Sequence, residues 1–117
     1  MDAPKITTAI PLQRYQFADY SAVVLGEIES PDSQRYRYIL ALVPNGETRP
    51  AAYITCTKAP RARSQDGSWI LGIVSESMSD ELGQSDRWED IDAFAHEGLA
   101  VIARVLGLGE AEPQRIM

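Results

Sequence analysis

Three basic residues lie close together in the sequence, around a proline. Lys58, Arg61 and Arg63 flank Pro60 in a segment that ends in Asp66-Gly67. Proline, aspartate and glycine favour turns and loops. Guanidinium and ammonium groups on one loop can together hold a phosphate or a carboxylate. The three side chains are therefore a candidate anion-binding site. Solvated surface charge is the simpler interpretation of the same pattern.

The chain has one cysteine, Cys56, and one histidine, His96. A thiol beside an imidazole would be an activated nucleophile, but Cys56 lies in a predicted strand and His96 in a predicted helix. Cys56 shares a strand face with Ile54, which indicates a buried, unreactive thiol. His96 falls toward the polar side of its helix. A lone histidine and a distant cysteine do not have metal-ligand spacing, so we predict no catalytic residue, metal site or cofactor.

Nucleic-acid recognition is disfavoured by pattern and by charge. Arg35 and Arg37 alternate with Tyr36 and Tyr38, so a regular strand would point the two types to opposite faces. A sheet that stacks bases needs both on one face. The formal net charge is −6; through Gln65 the chain has eight basic and six acidic residues, and afterwards three and eleven. This balance lacks the basic footprint that counterion release requires, so we expect no nucleic-acid partner.

Four segments have the composition and alternation of β-strands. They are rich in valine, isoleucine, threonine and aromatic residues, and each has apolar side chains on both faces. The links between them, one of which contains Asn45-Gly46, hold turn residues and are too short for helical crossovers. An antiparallel meander is therefore predicted. The four segments are residues 19–29, 35–43, 51–58 and 69–75.

The strongest helix signal covers residues 86–107. Asp86 can cap the helix, with Glu89 completing a capping box, and Gly107 offers a stop. Gly98 either permits close approach to the sheet or is simply tolerated. The apolar stripe at helical spacing consists of Trp88, Ile91, Phe94, Ala95, Val101, Ile102, Val105 and Leu106.

Together these elements predict one α+β domain over residues 1–117: a four-stranded antiparallel β-meander with one long C-terminal helix packed on one face. Its parts are an N-terminal segment (1–14), the meander (15–76), a loop (77–85), the helix (86–107) and a tail (108–117). No apolar run approaches the roughly 18 residues of a membrane span. The start lacks signal-peptide features, and a single cysteine fits a reducing compartment. We therefore expect a cytoplasmic protein that does not enter membranes.

The predicted sheet has more apolar surface than one helix can cover. Four strands span about 19 Å, whereas a helix is about 10–12 Å across and reaches one face only. Two explanations stay open: the N-terminal segment folds across the second face, or another protein chain covers it. An uncovered apolar patch usually marks an interface. The candidate interface residues are Ile39, Val43, Leu71 and Ile73.

Two functions follow as hypotheses. The first is a small acidic interaction module, an adaptor or chaperone-like protein that forms a homodimer or binds another protein through its apolar sheet face. The alternative is a small-molecule binding protein or small enzyme. Its anionic ligand would lie at the Arg61–Arg63 loop or in the crevice between helix and sheet.

Overall fold

The computed structural model describes residues 4–31, 35–109 and 111–116. Within these residues it is an α+β fold, in which one α-helix packs on a seven-stranded antiparallel sheet. The strand order is β6-β5-β4-β3-β2-β1-β7, so all strands except β7 follow the chain. The strands are β1 (Thr8–Phe17), β2 (Tyr20–Glu29), β3 (Tyr36–Pro44), β4 (Ala52–Lys58), β5 (Trp69–Ser75), β6 (Ser79–Ser85) and β7 (Gln114–Arg115).

The predicted α+β class and antiparallel meander are confirmed, but the sheet is larger than predicted. The four predicted strands correspond to β2, β3, β4 and β5, and their ends agree to within one residue. The three additional strands lie at the two edges of the sheet.

The N-terminal segment does not fold across the second face of the sheet. It forms β1, which pairs with β2 from Thr8 opposite Glu29 to Phe17 opposite Tyr20. Pro11 obscured this strand in the sequence because proline cannot donate to a ladder. An edge strand tolerates it, and the part of the prediction that concerns residues 1–3 lies outside the described residues.

Residues 77–85, predicted as a loop, contain β6, which pairs with β5. The strand is polar and largely exposed, as expected of an edge strand, so the alternation that marks a half-buried strand is missing. The tail likewise adds a short strand: β7 pairs with β1 at Tyr15 and Gln16. β6 forms a hairpin with the strand that precedes it, whereas β7 depends on contacts with residues distant in the sequence.

The predicted helix 86–107 is divided near its start. Residues Asp86–Glu89 form a short 3₁₀ helix, and the α-helix, α1, runs from Ile91 to Leu106. Asp90 separates them with an extended ψ of 126°, and its carboxylate accepts a hydrogen bond from the Ala93 amide. The predicted cap, Asp86, instead accepts a hydrogen bond from the Ser68 amide. Gly107 ends α1 in the left-handed conformation, at a φ of 66°.

α1 packs closely against the centre of the sheet. A Cβ atom added at Gly98 would lie 3.2 Å from Leu40 Cδ1 and 3.5 Å from Ile54 Cγ2, which favours the close-approach interpretation of this glycine. The core between helix and sheet includes Phe17, Ala22, Val24, Leu40, Leu42, Ile54, Cys56, Leu71, Ile73, Trp88, Phe94, Ala95, Leu99, Val101 and Ile102.

Candidate functional site

The sheet face opposite α1, here called the open face, carries an apolar patch. Leu25 lies opposite Ile39 in the β2–β3 pair, and directly opposite residues share a face. Ile39 is fully buried by its neighbours although it lies outside the core cluster beneath α1. The remaining large side chains of the patch are half-buried. The patch consists of Val23, Leu25, Ile39, Ala41, Val43, Tyr53, Ile70 and Val74.

Polar side chains surround this patch on two sides. Arg14 lies opposite Val23 on the β1 side, and Glu81 lies opposite Gly72 on the β6 side. On the β6 side, Arg63 of the 3₁₀ helix Arg61–Asp66 donates a hydrogen bond to Glu81. An apolar centre with a polar rim is the usual anatomy of a protein interface.

Two of the four candidate interface residues are not on this face. Leu71 and Ile73 belong to the core beneath α1, where their exposed fractions are 2% and 1%, so their assignment to the interface is wrong. β5 is apolar on both faces, and the sequence did not show which face the helix covers. Ile39 and Val43 do lie on the open face, and their role in an interface stays a prediction.

Both long edges of the sheet discourage extension by another strand. At one edge, β6 carries Asp80 and Glu81, and charged edge strands oppose edge-to-edge pairing. At the other, β1 contains Pro11, which has no N–H to donate, and β7 already pairs with Tyr15 and Gln16. The open face is therefore better suited than the edges to association.

A β-bulge in β3 creates a second surface, on the helix side of the sheet. Tyr36 pairs with Thr57 and Tyr38 with Cys56, so Arg37 is the extra residue of the bulge. Its Nε donates to the carbonyl oxygen of Glu89 (3.0 Å). Arg37 thus lies on the same side of the sheet as Tyr38. The expectation that these arginines and tyrosines point to opposite faces is wrong at this position, because a bulge interrupts the alternation.

Further basic and aromatic side chains converge at this bulge. The Arg37 guanidinium lies 5.1 Å from the ring centroid of Tyr38 and 5.5 Å from that of Trp69. Lys58 lies opposite Trp69 in the β4–β5 pair, and its amide donates to the carbonyl oxygen of Arg35. We call this surface the basic groove; its defining residues are Arg35, Arg37, Tyr38, Lys58 and Trp69.

The basic groove opens where two strands part. β2 and β3 pair as far as Leu25 opposite Ile39, and beyond that point residues 26–29 and 35–38 form opposite walls of a cavity of about 700 Å³. Glu27 and Glu29 lie on the β2 wall. Glu27 has a φ of 46°, a strained conformation for a residue other than glycine. The groove thus has a basic and an acidic wall.

The loop Arg61–Arg63 does not form one site with Lys58. Arg63 donates to both carboxylate oxygens of Glu81, at 2.9 and 2.6 Å, and to Gln84. This pairing lowers the pKa of Glu81. Arg61 is exposed, whereas Lys58 lines the basic groove. An anion would have to compete with Glu81 for Arg63.

Cys56 and His96 are not brought together. The Cys56 thiol is buried and donates to the Trp88 carbonyl oxygen at 3.4 Å. Burial raises the pKa of this thiol to about 12, although the positive charge of Arg37 opposes the shift. His96 is exposed and lines a cavity of about 180 Å³ beside Phe17 and Pro113. The predicted burial of the thiol is confirmed, and its lack of reactivity stays a prediction.

The described residues contain no cluster of three or more histidine, cysteine or acidic side chains that could hold a metal ion. Their helices include none that is long and apolar enough to cross a membrane. Comparisons with protein families, with curated proteins and with solved structures found no match for this chain.

Proposed function

We propose that this protein is an interaction module that self-associates through its open face. Two copies would pack their sheets face to face. The observation that carries the proposal is the patch of half-buried apolar side chains that includes Val43 and Tyr53, which lies opposite the only α-helix of the described residues. Large apolar patches on soluble proteins usually mark interaction surfaces.

The size of the patch is compatible with a weak or moderate dimer. Together with its polar rim, the patch extends over the five strands β1 to β5. The strands are about 4.8 Å apart and the patch is roughly 20 Å long. Each copy would therefore contribute about 500 Å², and the dimer would bury about 1,000 Å² in total, near the lower limit for a specific interface. A second copy is the occupant we favour because a two-fold contact matches apolar centre to apolar centre.

Sedimentation of the purified protein at micromolar to submillimolar concentration tests this proposal. The wild-type chain should form a dimer, and Val43→Glu, which places a charge on the half-buried open face, should form a monomer. Val105→Glu is the matched control, because Val105 is 46% exposed on α1 and lies away from the patch. Each copy carries a net charge of −6, so added salt should strengthen the dimer by screening repulsion.

Two outcomes contradict the proposal. The first is a wild-type protein that stays monomeric over the whole concentration range. The second is a Val43→Glu protein that remains folded by circular dichroism and dimerises as tightly as Val105→Glu. Ile39 and Leu71 are unsuitable positions for this experiment, because both are buried and a charge there would unfold the chain.

A further inference from the structure

We propose that the basic groove binds a small nucleoside phosphate. The phosphate would lie against Arg35 and Lys58, and the base would stack on Trp69 and the guanidinium plane of Arg37. This surface is on the helix side of the sheet and the open face is on the other, so the site does not depend on self-association.

No carboxylate among the described residues forms an ion pair with the cations of the groove. Among the described residues, neither Arg35 nor Lys58 forms an ion pair, and both are exposed. Arg37 uses Nε for the Glu89 carbonyl oxygen, and its two Nη atoms have no protein partner among those residues. Two long cationic side chains beside a fixed guanidinium suit a phosphate, which accepts several charge-assisted hydrogen bonds.

The aromatic part of the groove favours a ligand that has a ring as well as a phosphate. Trp69 is half-buried and lines the cavity, and the Arg37 guanidinium lies over its ring, 5.5 Å from the centroid. The guanidinium plane and the part of the ring it leaves open together form the stacking surface. Nucleic-acid bases stack on aromatic side chains and on arginine planes, and each such contact contributes about 1–3 kcal/mol. Inorganic phosphate alone would leave this surface unused.

The acidic wall and the size of the groove complete the match. Glu27 and Glu29 line the side opposite the cations, and carboxylates accept hydrogen bonds from ribose hydroxyls. A volume of about 700 Å³ lies within the usual range of about 300–1,000 Å³ for small-ligand sites. The acidic wall would repel a long polyanion, which favours a mononucleotide over a nucleic-acid strand.

Calorimetric titration of the full chain with AMP, adenosine and inorganic phosphate tests the proposal. AMP should bind at least tenfold more tightly than either fragment. Arg35→Ala and Lys58→Ala should each weaken AMP binding fivefold or more and leave adenosine binding nearly unchanged. Trp69→Phe should weaken both AMP and adenosine. Arg49→Ala is the matched control, since Arg49 is exposed outside this groove, and it should bind AMP as the wild type does.

Backbone amide NMR spectra recorded during the same titration locate the ligand. AMP should shift the resonances of residues 26–29, 35–38, Lys58 and Trp69, and leave those of Val43, Tyr53 and Val74, at the far end of the open face, unchanged. The proposal is overturned if millimolar AMP produces no heat or shifts, or if Arg49→Ala weakens binding as much as Lys58→Ala. It is also overturned if affinity rises steadily with the length of a single-stranded oligonucleotide, because that result would show a nucleic-acid surface.

Discussion

Arg37 and Tyr38 are adjacent in β3, yet both side chains donate to the same acceptor, the carbonyl oxygen of Glu89, at 3.0 and 3.1 Å. In a regular strand adjacent side chains point to opposite faces. Because of the bulge at Arg37, both side chains connect the start of β3 by hydrogen bonds to the segment that precedes α1.

Tyr38→Phe should lower the free energy of unfolding by about 0.5–1.5 kcal/mol, because it removes a hydrogen bond and leaves the ring on Phe94 in place (centroids 5.5 Å apart). Tyr20→Phe is the control, because Tyr20 is also half-buried but its hydroxyl makes no hydrogen bond with the described residues. Urea unfolding of the two variants compares them. Equal stability of the two variants would mean that the contact with Glu89 contributes nothing.

Asp90→Ala should destabilise the protein by about 1 kcal/mol, because the carboxylate of Asp90 caps α1 by accepting from the Ala93 amide at 2.9 Å. Asp90→Asn retains an oxygen acceptor and should lose much less. The difference between the urea unfolding midpoints of the two variants measures how much the cap contributes to stability. If Asp86 capped α1, as the sequence suggested, the side chain at position 90 would not matter for the cap, and Asp90→Ala and Asp90→Asn would have the same urea midpoint.

Ile102→Asp should lower the free energy of unfolding by several kcal/mol or prevent folding. Ile102 lies on the sheet-facing side of α1 and is 1% exposed, and an unpaired buried charge is strongly unfavourable. Arg104→Asp, two residues along the same helix and exposed, is the control and should fold normally. Thermal unfolding followed by circular dichroism distinguishes them. An Ile102→Asp protein with an unchanged melting temperature would disprove the packing of α1.

The Cys56 thiol should make stability fall at alkaline pH. Burial raises its pKa to about 12 from an ordinary value near 9.0, so the unfolded chain releases this proton before the folded chain does. The stabilising contribution is complete below about pH 9 and is lost as pH rises through about 12. Cys56→Ala should show a smaller decrease in the free energy of unfolding over this range.

Thiol labelling provides an independent measurement on the same residue. A disulfide reagent at pH 8 should react slowly with the folded wild-type protein and rapidly in denaturant, because attack requires an exposed thiolate. Rapid labelling of the folded chain at the rate seen in denaturant would show that Cys56 is accessible.

Local patterns were sufficient for the central elements of this fold. Alternation and β-branched composition predicted β2 to β5, and the helical periodicity that includes Phe94 and Ile102 predicted α1. Short links between the strands implied the antiparallel order. These features depend on neighbours in the sequence, so this one sequence was enough to predict them.

The candidate sites depended on the tertiary structure. Leu71 and Val43 are equally apolar, and only the position of α1 decides that Leu71 is core and that Val43 lies on the open face. β1 and β6 are recognisable as strands only through their pairing at the sheet edges, where few apolar residues are needed. The basic groove exists because one extra residue in β3 turns Arg37 toward Lys58 and Trp69, and a bulge depends on pairing with a partner strand.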